Sequence, residues 1–192
     1  MGKGRLEAFS DGVIAVALTI MVLEMKVPHG ADLAALRAVL PAFLSYILSF
    51  IYIGIYWNNH HHLLHTVKHI SGAIMWANLH LLFWLTLVPF TTDWMGENHY
   101  AAMPTALYGF VLLMSGVAYT MLVHAIVVCH GGKDSELAAA IGSDTKGKLS
   151  LLAYALAVGL AFVDQRISDV IYALVALMWL VPDRRIESRI KE

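Results

Sequence analysis

Between Ala38 and Asn59 the chain runs without one charged side chain. A helix in water needs a polar face, so a charge-free stretch of that length belongs either in a large core or in lipid. It is one of six such apolar segments: about Phe9–Glu24, Leu36–Leu64, Ile70–Thr92, Ala102–Val128, Leu149–Val163 and Ile167–Pro182. Each lies near the roughly 20 residues that cross a bilayer, the last two falling short. The 192 residues are 59% hydrophobic and 14% charged, with mean hydropathy +0.67. That is too apolar for a soluble domain of this size and too poor in charge for a disordered chain. The expected fold is an all-α integral membrane protein, a single transmembrane domain of six helices over residues 1–192. A hairpin that dips into the membrane is the other reading of the last two segments. The first segment carries Asp11 and lacks a small-residue cleavage site, so no cleavable signal is expected.

Pro28-His29-Gly30 breaks the chain after the first segment, and Asp32 is placed to cap the next helix. The longest polar stretch, Gly131 to Lys148, includes a short amphipathic piece at Glu136–Ile141. With the N-terminus inside, the internal loops hold Lys3, Arg5, Lys68, Lys133, Lys146, Lys148, Arg184, Arg185, Arg189 and Lys191. The external loops hold Lys26, Arg37 and Arg166. This bias places both termini in the cytoplasm. Trp94 and Tyr100 stand where an outer aromatic belt belongs, and Trp179 where an inner one does. Ala153, Ala157 and Ala161, with Ala155 and Gly159 beside them, make a close-packing face. A net charge of −1 gives no footprint for nucleic acid, and the single Cys129 excludes an internal disulfide.

The first segment carries the most chemistry. Arg5-Leu6-Glu7-Ala8-Phe9-Ser10-Asp11 runs into an apolar helix with no charge until Glu24. Ser10 and Asp11 suit a helix N-terminus, and an acid at the mouth of a membrane helix needs a partner. Arg5 is the nearest candidate. At 100° per residue Val13, Val16, Thr19, Ile20 and Leu23 share one arc, which by itself is a lipid-facing or packing stripe.

The pattern Arg5-x-x-x-Phe9-Ser10-Asp11 resembles the signature of the transmembrane protein 175 family of potassium channels, in its bacterial branch. Trp57-x-x-His60-His61 is similar to the end of that family's second helix, and Asn78 and Pro89-Phe90 fit its third. The resemblance implies a passive, potassium-preferring cation channel of a bacterial-type cytoplasmic membrane. With one first helix per chain, a central pore implies a homotetramer lined by that helix. The resemblance puts the narrowest ring at Val16, with Ile20 and Leu23 as further layers and Thr19 as a ring of hydroxyls. Relatives often carry a bulkier residue at the tightest layer, so Ile20 is the alternative constriction. It also implies that Arg5, Trp57 and either His60 or His61 hold Ser10 and Asp11 in a network that fixes the first helix. The implied partners are further copies of the chain, potassium ions and membrane lipid, with no cofactor, no structural metal, no nucleic acid and no enzymatic activity.

His61, His65 and His69 lie at four-residue spacing next to His60, His62 and Lys68. One alternative is therefore a histidine-box membrane metalloenzyme. The intramembrane acids that complete such boxes are missing. A second is a proton- or cation-coupled transporter using Asp11 and the histidines as relays, and a third is a structural membrane protein. Asn78, His80 and His124 read as groups that bond neighbouring helices. Asp93 and Glu97 make an acidic outer mouth.

Overall fold

The computed structural model describes residues 2–132, 138, 142 and 144–180. Lys133, most of the piece expected at Glu136–Ile141, the end of the sixth segment at Pro182, and Arg184, Arg185, Arg189 and Lys191 lie outside them.

Helix α1 spans Lys3–Glu24, with Gly2 as its N-cap. It starts about two turns before the expected cap at Ser10 and Asp11, which corrects that reading: both residues lie inside the helix. No proline interrupts Lys3 to Phe9. Lys3 secures this first turn, with its Nζ donating to the His65 carbonyl at 3.0 Å and lying 3.9 Å from Glu7. Leu6, Ser10, Ile14, Ala17 and Met21 form the buried stripe, a spacing of three or four residues that faces α1 to its neighbours.

Asp32 caps the short α2 (Leu33–Ala38), accepting from the Ala35 amide at 2.9 Å. The chain then turns at Val39 into α3 (Leu40–His65), whose first turn carries Pro41 where no amide hydrogen is needed. Helix α4 (Gly72–Glu97) is capped by Ser71 and contains Pro89, and α5 (Ala102–Cys129) follows a tight turn. In that turn His99 and Tyr100 adopt positive φ of 50° and 60°. Helices α6 (Thr145–Leu160) and α7 (Gln165–Leu180) close the bundle.

Helix α4 is central, packed on α1, α3 and α5, while α6 and α7 pair with each other and lean on α5. Ala157 and Ala161 are fully buried there, and Ser168 donates to the Ala157 carbonyl at 2.7 Å. Helices α1, α3, α4 and α5 are long and apolar enough to cross a membrane. Helices α6 and α7 have 16 residues each, about 24 Å against a hydrocarbon core of about 30 Å. Buried polar groups find partners on other helices: Thr92 donates to Ser49 at 2.6 Å, and Ser49 bonds the Tyr108 hydroxyl at 3.0 Å.

Candidate pore-lining helix and its anchoring network

Donors and acceptors around Ser10 can be assigned one after another. The Leu6 carbonyl only accepts, so the Ser10 hydroxyl donates to it at 2.9 Å. That leaves a lone pair on Ser10 Oγ, which the Asn78 Nδ2 amide fills at 2.9 Å. Asn78 must then present Oδ1 to His60, whose Nε2 is 2.7 Å away and donates. Ser10 and Asn78 are 0% exposed and His60 is 2% exposed. One buried chain of hydrogen bonds thus ties α1 to α4 and α4 to α3.

A second tie runs parallel to it at the surface. Trp57 Nε1 donates to Asp11 Oδ1 at 2.9 Å, a bond strengthened by the carboxylate charge. The ring of His61 stacks on Trp57 with centroids 6.0 Å apart. The two adjacent histidines therefore have separate surroundings. His60 reaches Ser10 through Asn78, and His61 backs the tryptophan that holds Asp11. Arg5 is exposed and six residues from Asp11, on another side of the same helix; among the described residues it forms no ion pair. Asn78, read from sequence as an amide that bonds a neighbouring helix and as a match to the third helix of the resembled family, is the bridging member. The available signal was an amide in an otherwise apolar run.

Opposite the buried stripe, α1 is uncovered. Val16 is 55% exposed, Ile20 38% and Leu23 79%, and Thr19 is exposed as well. The Thr19 hydroxyl hydrogen is shared by the carbonyls of Val16 at 2.9 Å and Ala15 at 3.1 Å. Its lone pairs remain free to face outward. Beside this face lies an open groove of about 720 Å³ between α1 and α4, walled by Phe9, Val13, Val16, Ile20 and Phe90, with Glu24 and Asp93 also lining it. Phe9 is half-exposed at its edge. Past the C-terminal end of α1 Lys26 forms an ion pair with Glu97, which raises the lysine pKa above its ordinary value.

The histidine stripe is broken by the end of α3 at His65, where Thr66 caps the last turn. His61 and His65 remain neighbours at 4.9 Å between ring centroids, whereas His69 lies in the following loop against His130. Among the described residues no three His, Cys, Asp or Glu side chains gather as a metal site. His80 accepts from Trp84 of its own helix at 2.9 Å, and His124 is exposed.

A family model described as endosomal/lysosomal potassium channel TMEM175 matches residues 5–89. A protein named potassium channel from Chryseobacterium sp. (strain P1-3) is 55% identical over 192 residues, 100% of each chain. Another of that name from Streptomyces collinus is 33% identical over 92% of this chain and 91% of its own. The crystal structure of a lysosomal potassium-selective channel TMEM175 homologue from Chamaesiphon minutus superposes with a TM-score of 0.81 at 28% identity. It covers 95% of this chain and 97% of that one. A relative alike in more than half its residues along the whole length, and a solved structure that overlays nearly all of the fold, place this chain in the TMEM175 family.

Proposed function

We propose that the chain is a potassium-selective channel of a bacterial-type cytoplasmic membrane, a homotetramer with the four α1 helices around a central pore. The observation that carries this reading is the two-sidedness of α1. One face is locked into the protomer through Ser10, while the face with Val16, Thr19, Ile20 and Leu23 has no cover. Apolar side chains on lipid-facing positions are ordinary; a groove of this size beside the same face, rimmed by Glu24 and Asp93, favours packing around an ion path.

The sequence has no Thr-Val-Gly-Tyr-Gly carbonyl filter. Selection and gating then fall to rings of side chains. Val16 forms the narrowest apolar ring, with Ile20 and Leu23 outward of it, and each ring sheds water when narrow. Thr19 offers four oxygens per tetramer whose hydrogens already point to backbone carbonyls, so they replace part of the hydration of a potassium ion. Helices α6 and α7 complete six spans per chain, with both termini cytoplasmic as the loop charges require. Conduction is passive, needs no cofactor and involves no catalysis.

The test is potassium against sodium flux in liposomes for the native protein, Val16→Asn and Ile20→Asn. Potassium flux that loses selectivity in either variant supports the ring assignment. Flux that ignores both substitutions removes α1 from the pore, and flux coupled to a proton gradient replaces the channel by a transporter.

A further inference from the structure

His130, the residue that ends α5, holds the loop between α3 and α4. Its Nδ1 lies 2.9 Å from the Ile126 carbonyl, which only accepts, so the hydrogen of the neutral ring sits on Nδ1. Nε2 is left as a bare acceptor and takes the backbone amides of Lys68 at 3.1 Å and His69 at 3.4 Å. The His69 ring lies 4.6 Å from the His130 ring, and its Nε2 is 3.4 Å from Cys129 Sγ. Lys68 and His69 are exposed and His130 is half-buried, so protons in solution reach the cluster.

We infer that His130 is a pH-sensitive latch: protonation of Nε2 releases the α3–α4 loop, and acid on the side of the membrane that holds the N-terminus thereby acts on the first helix. A proton on Nε2 turns the acceptor of two backbone amides into a third donor aimed at them, which is repulsive. Imidazole is the side chain that changes charge between about pH 5 and pH 8. Among the described residues, the titratable side chain against the His130 ring is that of His69, which in turn meets Cys129; Lys68 reaches His130 with its backbone amide. Positive charge on the neighbouring His69 ring pushes the same way. The freed segment is short and tightly connected. His65, at its start, accepts from Lys3 of α1, and Ser71, at its end, caps the helix that carries Asn78.

The experiment measures amide hydrogen exchange at Lys68 and His69 in the reconstituted full chain at about pH 7.5 and about pH 5.5, corrected for intrinsic rates. In the native protein protection at both amides falls about tenfold or more on acidification. His130→Gln keeps a non-titrating acceptor near the position of Nε2 and keeps its protection at both values. His130→Ala is unprotected at both. Unchanged protection in the native protein overturns the latch, as does a His130→Gln variant that loses protection in parallel. If His130→Gln fails to fold, the native pH series alone decides. The link to α1 rests on the channel reading and is read separately, as potassium flux against pH on the N-terminal side. A pH response present in the native chain and absent in His130→Gln supports it, and flat flux above a working latch overturns that link. No flux at all, with protection still falling, sinks the channel reading and leaves the latch standing.

Discussion

Asn78→Leu tests whether the three-helix chain of hydrogen bonds is a unit. The substitution keeps the volume of the side chain close to that of the amide and removes both of its bonds, the donor to Ser10 and the acceptor from His60. Ser10 keeps its bond to Leu6 and loses an incoming donor, which between membrane helices averages about 0.6 kcal/mol. His60 fares worse. Its Nε2 hydrogen, on a ring 2% exposed, is left without an acceptor at about 1–3 kcal/mol. The expected loss is therefore about 1.5–3.5 kcal/mol. His60→Leu mirrors it by stranding the Asn78 oxygen, and the double variant strands neither. The double variant should then lose less than the sum of the singles by about 1–2 kcal/mol. The assay is reversible unfolding of the reconstituted protein in mixed micelles for all four members of the cycle. Additivity within about 0.5 kcal/mol refutes the coupling, because residues that share no interaction add to that accuracy.

Trp57→Phe keeps the stack on His61 and deletes the bond to Asp11, so potassium flux falls more than in Asp11→Asn, whose amide oxygen still accepts; equal flux in the two shows that the indole hydrogen is idle. Gly96→Ala drives a new methyl against the Ala42 backbone and Ser45, and Gly109→Ala drives one into the Tyr172 hydroxyl. Both lose about 1–3 kcal/mol in unfolding experiments, but only Gly109→Ala should recover in part when combined with Tyr172→Phe. Burial pushes the Tyr100 phenol up to about 12, and it donates to the Pro41 carbonyl at 2.8 Å. A phenol raised above its ordinary value of about 10 supplies stability below that pH and loses it as the pH climbs through its folded value. The native midpoint of thermal unfolding thus drops more steeply than that of Tyr100→Phe between those limits; parallel curves contradict the assignment.

Much of this molecule is written in its apolar runs. The charge-free stretch from Ala38 to Asn59 places α3, and Asp32 with Pro28-His29-Gly30 places the break before it. The start of α1 was less legible. Ser10 and Asp11 are cap residues by type, and local rules favour them as the helix entrance. Tertiary partners override that preference: Lys3 is tied to the end of α3, and Ser10 turns its hydroxyl inward to its own backbone. Adjacent histidines could not be told apart from sequence either. One residue along α3 rotates the side chain by about 100°, and only the position of α4 makes His60 the inward one. The spacing of His61, His65 and His69 has the periodicity of a helix that stops before its third member, since nothing in that periodicity marks the cap at Thr66.

The signature and the candidate rings are linked through the rotation of α1 about its axis. With Ser10 held inward by Asn78, the residue nine positions on, Thr19, points about 180° away. By the same counting Leu23 lies at about 220°, Val16 at about 240° and Ile20 at about 280° from Ser10. These four share an arc of about 100°, and all of them are exposed. A slip of one residue in how α1 sits would swing that arc by its whole width, burying Ile20 and turning the partly buried Leu18 outward instead. Apolar contacts along Leu6, Ile14, Ala17 and Met21 tolerate such a slip poorly but do not forbid it, because a neighbouring stripe of α1 is apolar too. A buried serine that must meet one amide does forbid it. The polar network therefore contributes rotational register more than stability, and its hydrogen bonds, modest in energy between membrane helices, determine which side chains of α1 the protomer leaves uncovered, the ones that the proposed function turns toward other copies of the chain and an ion.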